Sequence, residues 1–516
     1  MATAASVRPR TARLAPGAIT AVAVALLLDV VYGPWFLNYD ARYALLWARD
    51  IAHGHLPEYT ADFAPTPHPL QTAAGLLALP FGGASDDVLT WAVLLSFGAL
   101  VYLTYALGRE LFSVPVGLVA ALVVLSRPAL QRDALIAYQD VPFAALVVGA
   151  VLLEARRPRR GVAVLVVLAV AGLLRPEAWV LSGLYVLWCL YGGSDPSRTS
   201  RVQKGSDPSR TSEVQKGSDP SRTSGVQKGS DPWWVLVALA AVAPVIWFGS
   251  DWIVTGDPLH SLHGTADLAI ANDRRRSVSD VPYWTAQYFG YALREPLVIG
   301  VPIGLVFAYF HARQRALLPL AVVVAMVAVF AVGPIFGLPL IRRYISTPAV
   351  LLCLFYGLAV MGWAMLPRDH GRGRRGWMIA GAVAALLSVA YLPWHYDKLA
   401  TVERRIDRDS VFYGDLHKAT EAPAVKAAFD RCPDLTAGDH RPMPYARFWL
   451  GGAPGTVSTV EGGASPMGKL LLMPVKGPTT RRIYPPKVFP KFKTPANWKT
   501  VYANRSWRVS ADPACA

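Results

Sequence analysis

Eleven apolar stretches dominate this chain, near residues 17–33, 88–108, 112–128, 141–155, 161–174, 178–191, 233–254, 293–311, 316–336, 346–366 and 376–393. A bilayer span needs about 20 mostly apolar residues, and in lipid each backbone amide must bond inside a helix or a closed barrel. The expected fold class is an all-α polytopic membrane bundle of about eleven transmembrane helices. Composition agrees, with 53% hydrophobic and 17% charged residues over 516 positions and a mean hydropathy of +0.32. Those values exclude an ordinary soluble protein of this length.

Sidedness follows from the charges. Arg8, Arg10 and Arg13 precede the first apolar run, but VYGPWFLNYD after it lacks a small-x-small cleavage pattern. A retained signal anchor with a cytoplasmic N-terminus is expected. The loops at 108–113, 154–161, 192–232, 311–315 and 367–376 then face the cytoplasm, and nearly all carry surplus Arg or Lys, as the positive-inside rule requires. Much of the net charge of +16 is therefore topological. The bilayer is the expected partner, and nucleic acid is not.

The chain divides accordingly into a cytoplasmic N-terminus (1–14), a first transmembrane module (15–191) with a long outer loop (34–87), a linker (192–232), a second transmembrane part (233–394) and an extracytoplasmic C-terminal domain (395–516). The linker holds three near-identical copies of GSDPSRTSxVQK at 193–228; one Val per copy cannot bury a face, so a disordered cytoplasmic tether is expected. Within the outer loop, QTAAGLLALPFG is too short to span comfortably and is read as lying in the interface. The C-terminal domain, rich in Pro, Gly and short Val/Tyr/Trp runs, is expected to be a small α/β or mostly β unit. Cys189 and Cys353 lie in apolar segments, whereas Cys432 and Cys515 lie in this outer domain. A disulfide there suits an oxidising compartment, and the sequence leaves the pairing open.

Acids and arginines collect on the outer side. On a helix, Asp40, Tyr43, Trp47 and Asp50 share one face, which suits either a surface helix turned toward a cleft or one with merely solvated acids. Asp133 and Asp140 bracket the approach to the fourth apolar segment. Asp140 precedes Val-Pro and could equally cap that helix. Arg175 and Glu177 flank Pro176 in a tight turn; Arg offers a planar fork for phosphate oxygens, and a self-satisfied Arg–Glu pair is the alternative. Arg342, Arg343 and Tyr344 breach the positive-inside pattern and so should answer to something anionic. His68, in TPHPL, is a lone histidine with weak standing. No HExxH, CxxC pair, Walker loop, GxGxxG or GxSxG occurs, which removes the signals for zinc proteases, nucleotide folds and serine hydrolases.

Taken together, DARYALLWARDIAHGHLPEY, TPHPLQTAAGLLALPFG, LGRELFSVPVGLVAALVVLSRP, LLRPEAW and RRYISTPAVLL resemble, in order and sidedness, the GT-C superfamily of integral-membrane glycosyltransferases. The likeness points to the branch of protein O-mannosyltransferases and aminoarabinose transferases and covers about residues 15–365. It implies a polyprenyl-phosphate sugar as donor and a hydroxyl on a glycan, lipid or protein as acceptor. It further implies Asp40 as general base, Asp140 orienting the acceptor or tuning Asp40, and Arg175 and Arg343 neutralising the departing phosphate. Tyr43, His68, Asp133, Glu177 and Tyr344 complete the expected substrate contacts. Ala41 stands where many members carry a second acid, so no acidic pair is carried over and a divalent metal stays an open question. A polyprenyl-glycan flippase or other transporter, a structural membrane protein with an outer adhesive domain, and a lipid-linked glycan polymerase or ligase are the rival readings.

Overall fold

The computed structural model describes residues 15–33, 35–191, 231–463, 467–486 and 488–516. The expected cytoplasmic N-terminus and all but the last two residues of the repeat linker lie outside the described residues.

Each of the eleven apolar stretches is helical, but length does not confirm each as a span. Among the described residues, five helices are long and apolar enough to cross a bilayer, or up to eight if each sharply bent pair is one span. The difference is one of length: Val162–Gly172 and Glu177–Tyr191 are short apolar helices, and Val114–Leu125 meets Pro128–Leu135 at 58°. Apolar runs in the sequence mark burial, and burial inside a bundle needs fewer residues than a full crossing.

Ser85–Leu111 is the central helix, packed against Ala15–Tyr32, Val114–Leu125 and Asp140–Arg156. Small residues let such helices approach closely; a Cβ on Gly98 would lie 2.6 Å from the Ala21 Cα. The run at 71–82 is no isolated interfacial segment. It forms helix Pro69–Ala78, which leads through a 3₁₀ turn, broken at Gly82, into Ser85–Leu111. Gly75 brings it onto the outer-loop helix Tyr39–Ala52, where an added Cβ would sit 2.9 Å from the Ala48 Cβ.

The C-terminal domain is α/β, with strands β1 (Leu435–Ala437), β2 (Val457–Thr459), β3 (Leu470–Pro474), β4 (Lys499–Ala503) and β5 (Trp507–Ala511) in the order β2-β1-β3-β5-β4. The first three neighbours run parallel and β3-β5-β4 antiparallel. Cys432 and Cys515 are joined in a disulfide. Helix Leu392–Glu421 runs through the expected boundary at 395. Val402 and Ile406 belong to the core of the transmembrane bundle, and Phe412 and Leu416 to that of the outer domain. One rigid helix therefore carries the domain.

A second attachment matters more for the site. Helix Met443–Trp449 lies on the outer-loop helix Tyr39–Ala52. Arg447 donates to both oxygens of Asp50 at 2.7 and 2.6 Å and to Glu58 at 3.0 Å. Arg49 returns the contact, donating to the carbonyls of Phe448 and Gly452. Arg42 pairs with Asp86 beneath the rings of Tyr445, Phe448 and Trp449, each about 5 Å away. Asp50 is thus a buried structural acid, and the helix that carries it is enclosed rather than laid on a membrane surface.

Candidate active site

Asp40 owes its position to Asn38. The Asn38 side chain accepts hydrogen bonds from the amides of Asp40 and Ala41 at 2.8 and 3.1 Å, the capping geometry that starts a helix. Its own amide group donates to the Ile136 carbonyl at 2.6 Å. The first turn is thereby fixed onto the 136–140 segment, and the Asp40 carboxylate stands at a helix N-terminus, where the dipole favours negative charge.

Opposite it, Arg343 comes from a 3₁₀ turn, Arg342–Ile345, just ahead of helix Ser346–Met361. Its guanidinium donates to Asp40 Oδ2 at 2.6 Å and lies 5.4 Å from the Tyr138 ring. Burial alone would raise the Asp40 carboxyl, but Arg343 more than offsets this and holds it below the usual carboxylate range.

The pair lines a cavity of about 580 Å³ between the outer loops and the C-terminal domain. Five arginines border it: Arg132, Arg274, Arg275, Arg342 and Arg343. Arg132 is paired with Asp133 at 3.3 Å. No ion pair among the described residues engages Arg274, Arg275 or Arg342. Arg275 rests 4.0 Å from the Trp284 ring and Arg342 3.8 Å from that of Tyr291. Their loops are joined where the Leu340 amide donates to the Arg275 carbonyl at 2.8 Å. Guanidiniums held on aromatic faces keep their donor edges available for an anion.

The C-terminal domain supplies the remaining wall. His440 stacks on Phe63 at 4.6 Å and meets Tyr39 edge-on at 5.6 Å. Its Nδ1 lies 2.6 Å from Glu461 Oε2, which also accepts from the His440 amide.

Of the expected site residues, Asp40, Asp133, Arg343 and Tyr344 line this one cavity. The other expected residues do not border it. Asp140 and Glu177 grip Arg175 from two sides, the Glu177 contact being 2.6 Å, and this triad is buried. Arg175 lies 4.5 Å from the Tyr344 ring, behind the cavity wall, so the paired alternative for Arg175 and Glu177 is what the fold contains. Asp140 begins its helix without capping it. Its second oxygen is buried without a hydrogen-bond partner. Tyr43 packs among Leu46, Trp47 and Tyr59. His68 Nε2 lies 2.7 Å from the Gln139 amide nitrogen, and burial pushes its pKa down to about 3, so the ring is neutral near pH 7.

The sequence reading missed Tyr39, Tyr138 and His440 and gave no role to Arg274 and Arg275. The run DRRRS was visible as a basic knot; nothing local to it shows that it folds against IRRY. His440 lies outside the region of family likeness and carries no local signal. As to a metal, no three His, Cys, Asp or Glu side chains converge among the described residues. Asp40 faces an arginine where a second acid would be needed. That donor set does not fit a metal ion, and no step is routed through one.

No family model matches the chain, and no curated sequence does. Among solved structures, ArnT from Cupriavidus metallidurans bound to undecaprenyl phosphate is similar over 98% of this chain and 98% of its own, at 15% identity and a TM-score of 0.51. The oligosaccharyltransferase of Archaeoglobus fulgidus in its apo form is similar over 90% of this chain and 69% of its own, at 10% identity and a TM-score of 0.51. The chain shares its fold with these two proteins. Within that fold, the first outer-loop helix carries Asp40 and the turn before a late span carries Arg343, and they meet across 303 residues of sequence.

Proposed function

We propose that this protein is an inverting glycosyltransferase of the extracytoplasmic membrane face, moving a hexosyl or pentosyl group from a polyprenyl phosphate to a hydroxyl on a glycan, lipid or protein. The observation that carries the reading is the Asp40–Arg343 pair at the edge of a cavity with three further arginines that no ion pair among the described residues engages. ArnT, which shares the fold, is described as bound to undecaprenyl phosphate. The Cys432–Cys515 disulfide supports an oxidising side for the C-terminal domain, in agreement with the loop charges.

Arg274, Arg275 and Arg342 would receive the donor phosphate, taking the role expected of Arg175. Arrival of that phosphate competes for the Arg343 guanidinium and loosens its hold on Asp40. The Asp40 carboxylate then accepts the proton of the acceptor hydroxyl as its oxygen bonds to the sugar C1 from the side opposite the phosphate. The C1–O bond to phosphate breaks with its electron pair, and the arginines stabilise the charge on the departing lipid phosphate. Tyr344, seated on the Arg175 triad, fixes one wall. Purified protein offered a panel of polyprenyl-phosphate sugars together with a hydroxyl-bearing saccharide acceptor such as maltotetraose is expected to consume at least one, with inversion at C1. Binding of such a lipid without turnover of any sugar would favour the flippase.

A further inference from the structure

A second cavity, of about 410 Å³, abuts the first, and Phe63, Pro65, Thr66, Thr265 and Leu268 line both. The two differ in charge. The second is bordered by Asp62, Asp267 and Glu461 and by no Lys or Arg. Its walls are the outer-loop segment 59–67 and one face of helix His260–Ala271. Neither wall is loose. Asp251, fully buried, accepts from the Ser261 amide and hydroxyl at 2.8 and 3.0 Å, and Trp247 donates to that hydroxyl at 2.8 Å. The Tyr59 and His260 rings lie parallel 6.4 Å apart, and Thr66 meets Thr265 at 2.5 Å between the chambers. Glu461 borders this chamber while its partner His440 borders the arginine cavity.

We infer that this chamber is the acceptor site and that it takes a neutral or amine-bearing saccharide, not a phosphorylated or carboxylated one. The inference rests on the transferase reading above. Aromatic faces suit the apolar face of a pyranose, and threonine, serine and carboxylate oxygens suit its hydroxyls. An anionic acceptor would meet like charges here and would be drawn instead into the arginine cavity, displacing the donor. From this chamber an acceptor hydroxyl would reach toward Asp40 past the residues the two cavities share, which requires the Thr66–Thr265 hydrogen bond to open. Its proton goes to the Asp40 carboxylate, its oxygen to the sugar C1, and the donor's C1–O electron pair to the lipid phosphate.

The test uses full-length protein in detergent and three probes of equal length: maltotetraose, the chitosan tetrasaccharide and tetragalacturonate, followed by saturation-transfer NMR and titration. The first two are expected to bind, and tetragalacturonate at least about tenfold more weakly, a margin of about 1.4 kcal/mol. Gly264→Trp should abolish binding of all three by filling the chamber, since an added Cβ there meets nothing closer than 3.8 Å and the fold can accept it. Asp267→Lys should shift preference toward tetragalacturonate. Both variants should still bind undecaprenyl phosphate as the wild type does, which shows that they are folded. Equal or tighter binding of tetragalacturonate by the wild type, no saccharide binding at all, or binding that survives Gly264→Trp would overturn the inference. Failure of the wild type to bind undecaprenyl phosphate would instead count against the donor reading, so the two failures are told apart.

Discussion

Asp40 is held ionised, yet it is also held by Arg343, and both facts bear on what single substitutions should do. Removing the carboxylate in Asp40→Asn should cut turnover by about 10²–10⁴, the usual span of a general base, while leaving donor binding intact. Full activity in a stably inserted variant would end the base assignment. Because its folded pKa lies below the unfolded value, Asp40 adds stability that is present above about pH 4 and is lost as pH falls through the folded pKa. His68 titrates at about 3, far below the working range. Neither residue should therefore place an inflection in kcat/KM, which reports the free enzyme, between about pH 5 and 8. A pH–rate profile checks this, and an inflection in that window removed by His68→Gln would contradict it. The acid Asp40 was legible in the sequence because its helix opens just after an apolar run. Its partner was legible too, as the arginine that breaks the charge rule. Their pairing was not, since no local pattern links positions 303 residues apart. For Arg175 the chemistry of its type was read correctly, and the neighbouring acids that consume it were underweighted.

Among elements, the docking of helix Met443–Trp449 on helix Tyr39–Ala52 decides whether the cavity has its outer wall. Arg447 is buried against two acids, and truncating one partner of a buried ion pair strands the other. Arg447→Ala should therefore cost about 3–5 kcal/mol, seen as a lower midpoint of thermal unfolding, and should weaken saccharide and donor binding together because His440 loses its place. An unchanged midpoint would show that the contact is dispensable. Losing the disulfide through Cys432→Ser should cost about 2–5 kcal/mol, with the loss centred on the outer domain. Hydrogen exchange would localise it; exchange that rises evenly over the molecule would contradict the assignment. The helical pattern of the outer-loop stripe was readable by periodicity, but which face meets a partner was not. Asp50 looks like Asp40 at i+10, and only the C-terminal domain, whose contacts are long-range, separates the structural acid from the cavity acid.

Across the entire chain, hydrophobicity made the helical membrane bundle plain from the sequence. It does not fix the number of spans, since the described residues hold five to eight helices of spanning length and short ones such as Val162–Gly172 are apolar as well. The fold brings residues from four separate loop regions and from the C-terminal domain around one cavity, with an arginine-rich chamber beside an acidic one. The first chamber would hold a lipid phosphate and the second an uncharged or basic sugar, with Asp40 on the wall of the first. The decisive experiment incubates purified wild-type protein and Asp40→Asn with a panel of polyprenyl-phosphate sugars and a hydroxyl-bearing saccharide acceptor such as maltotetraose, and quantifies the free polyprenyl phosphate released. Catalysis by Asp40 predicts release from at least one sugar by the wild type and about 10²-fold less or lower by the variant. Equal release by both proteins, or none from any donor, would contradict it.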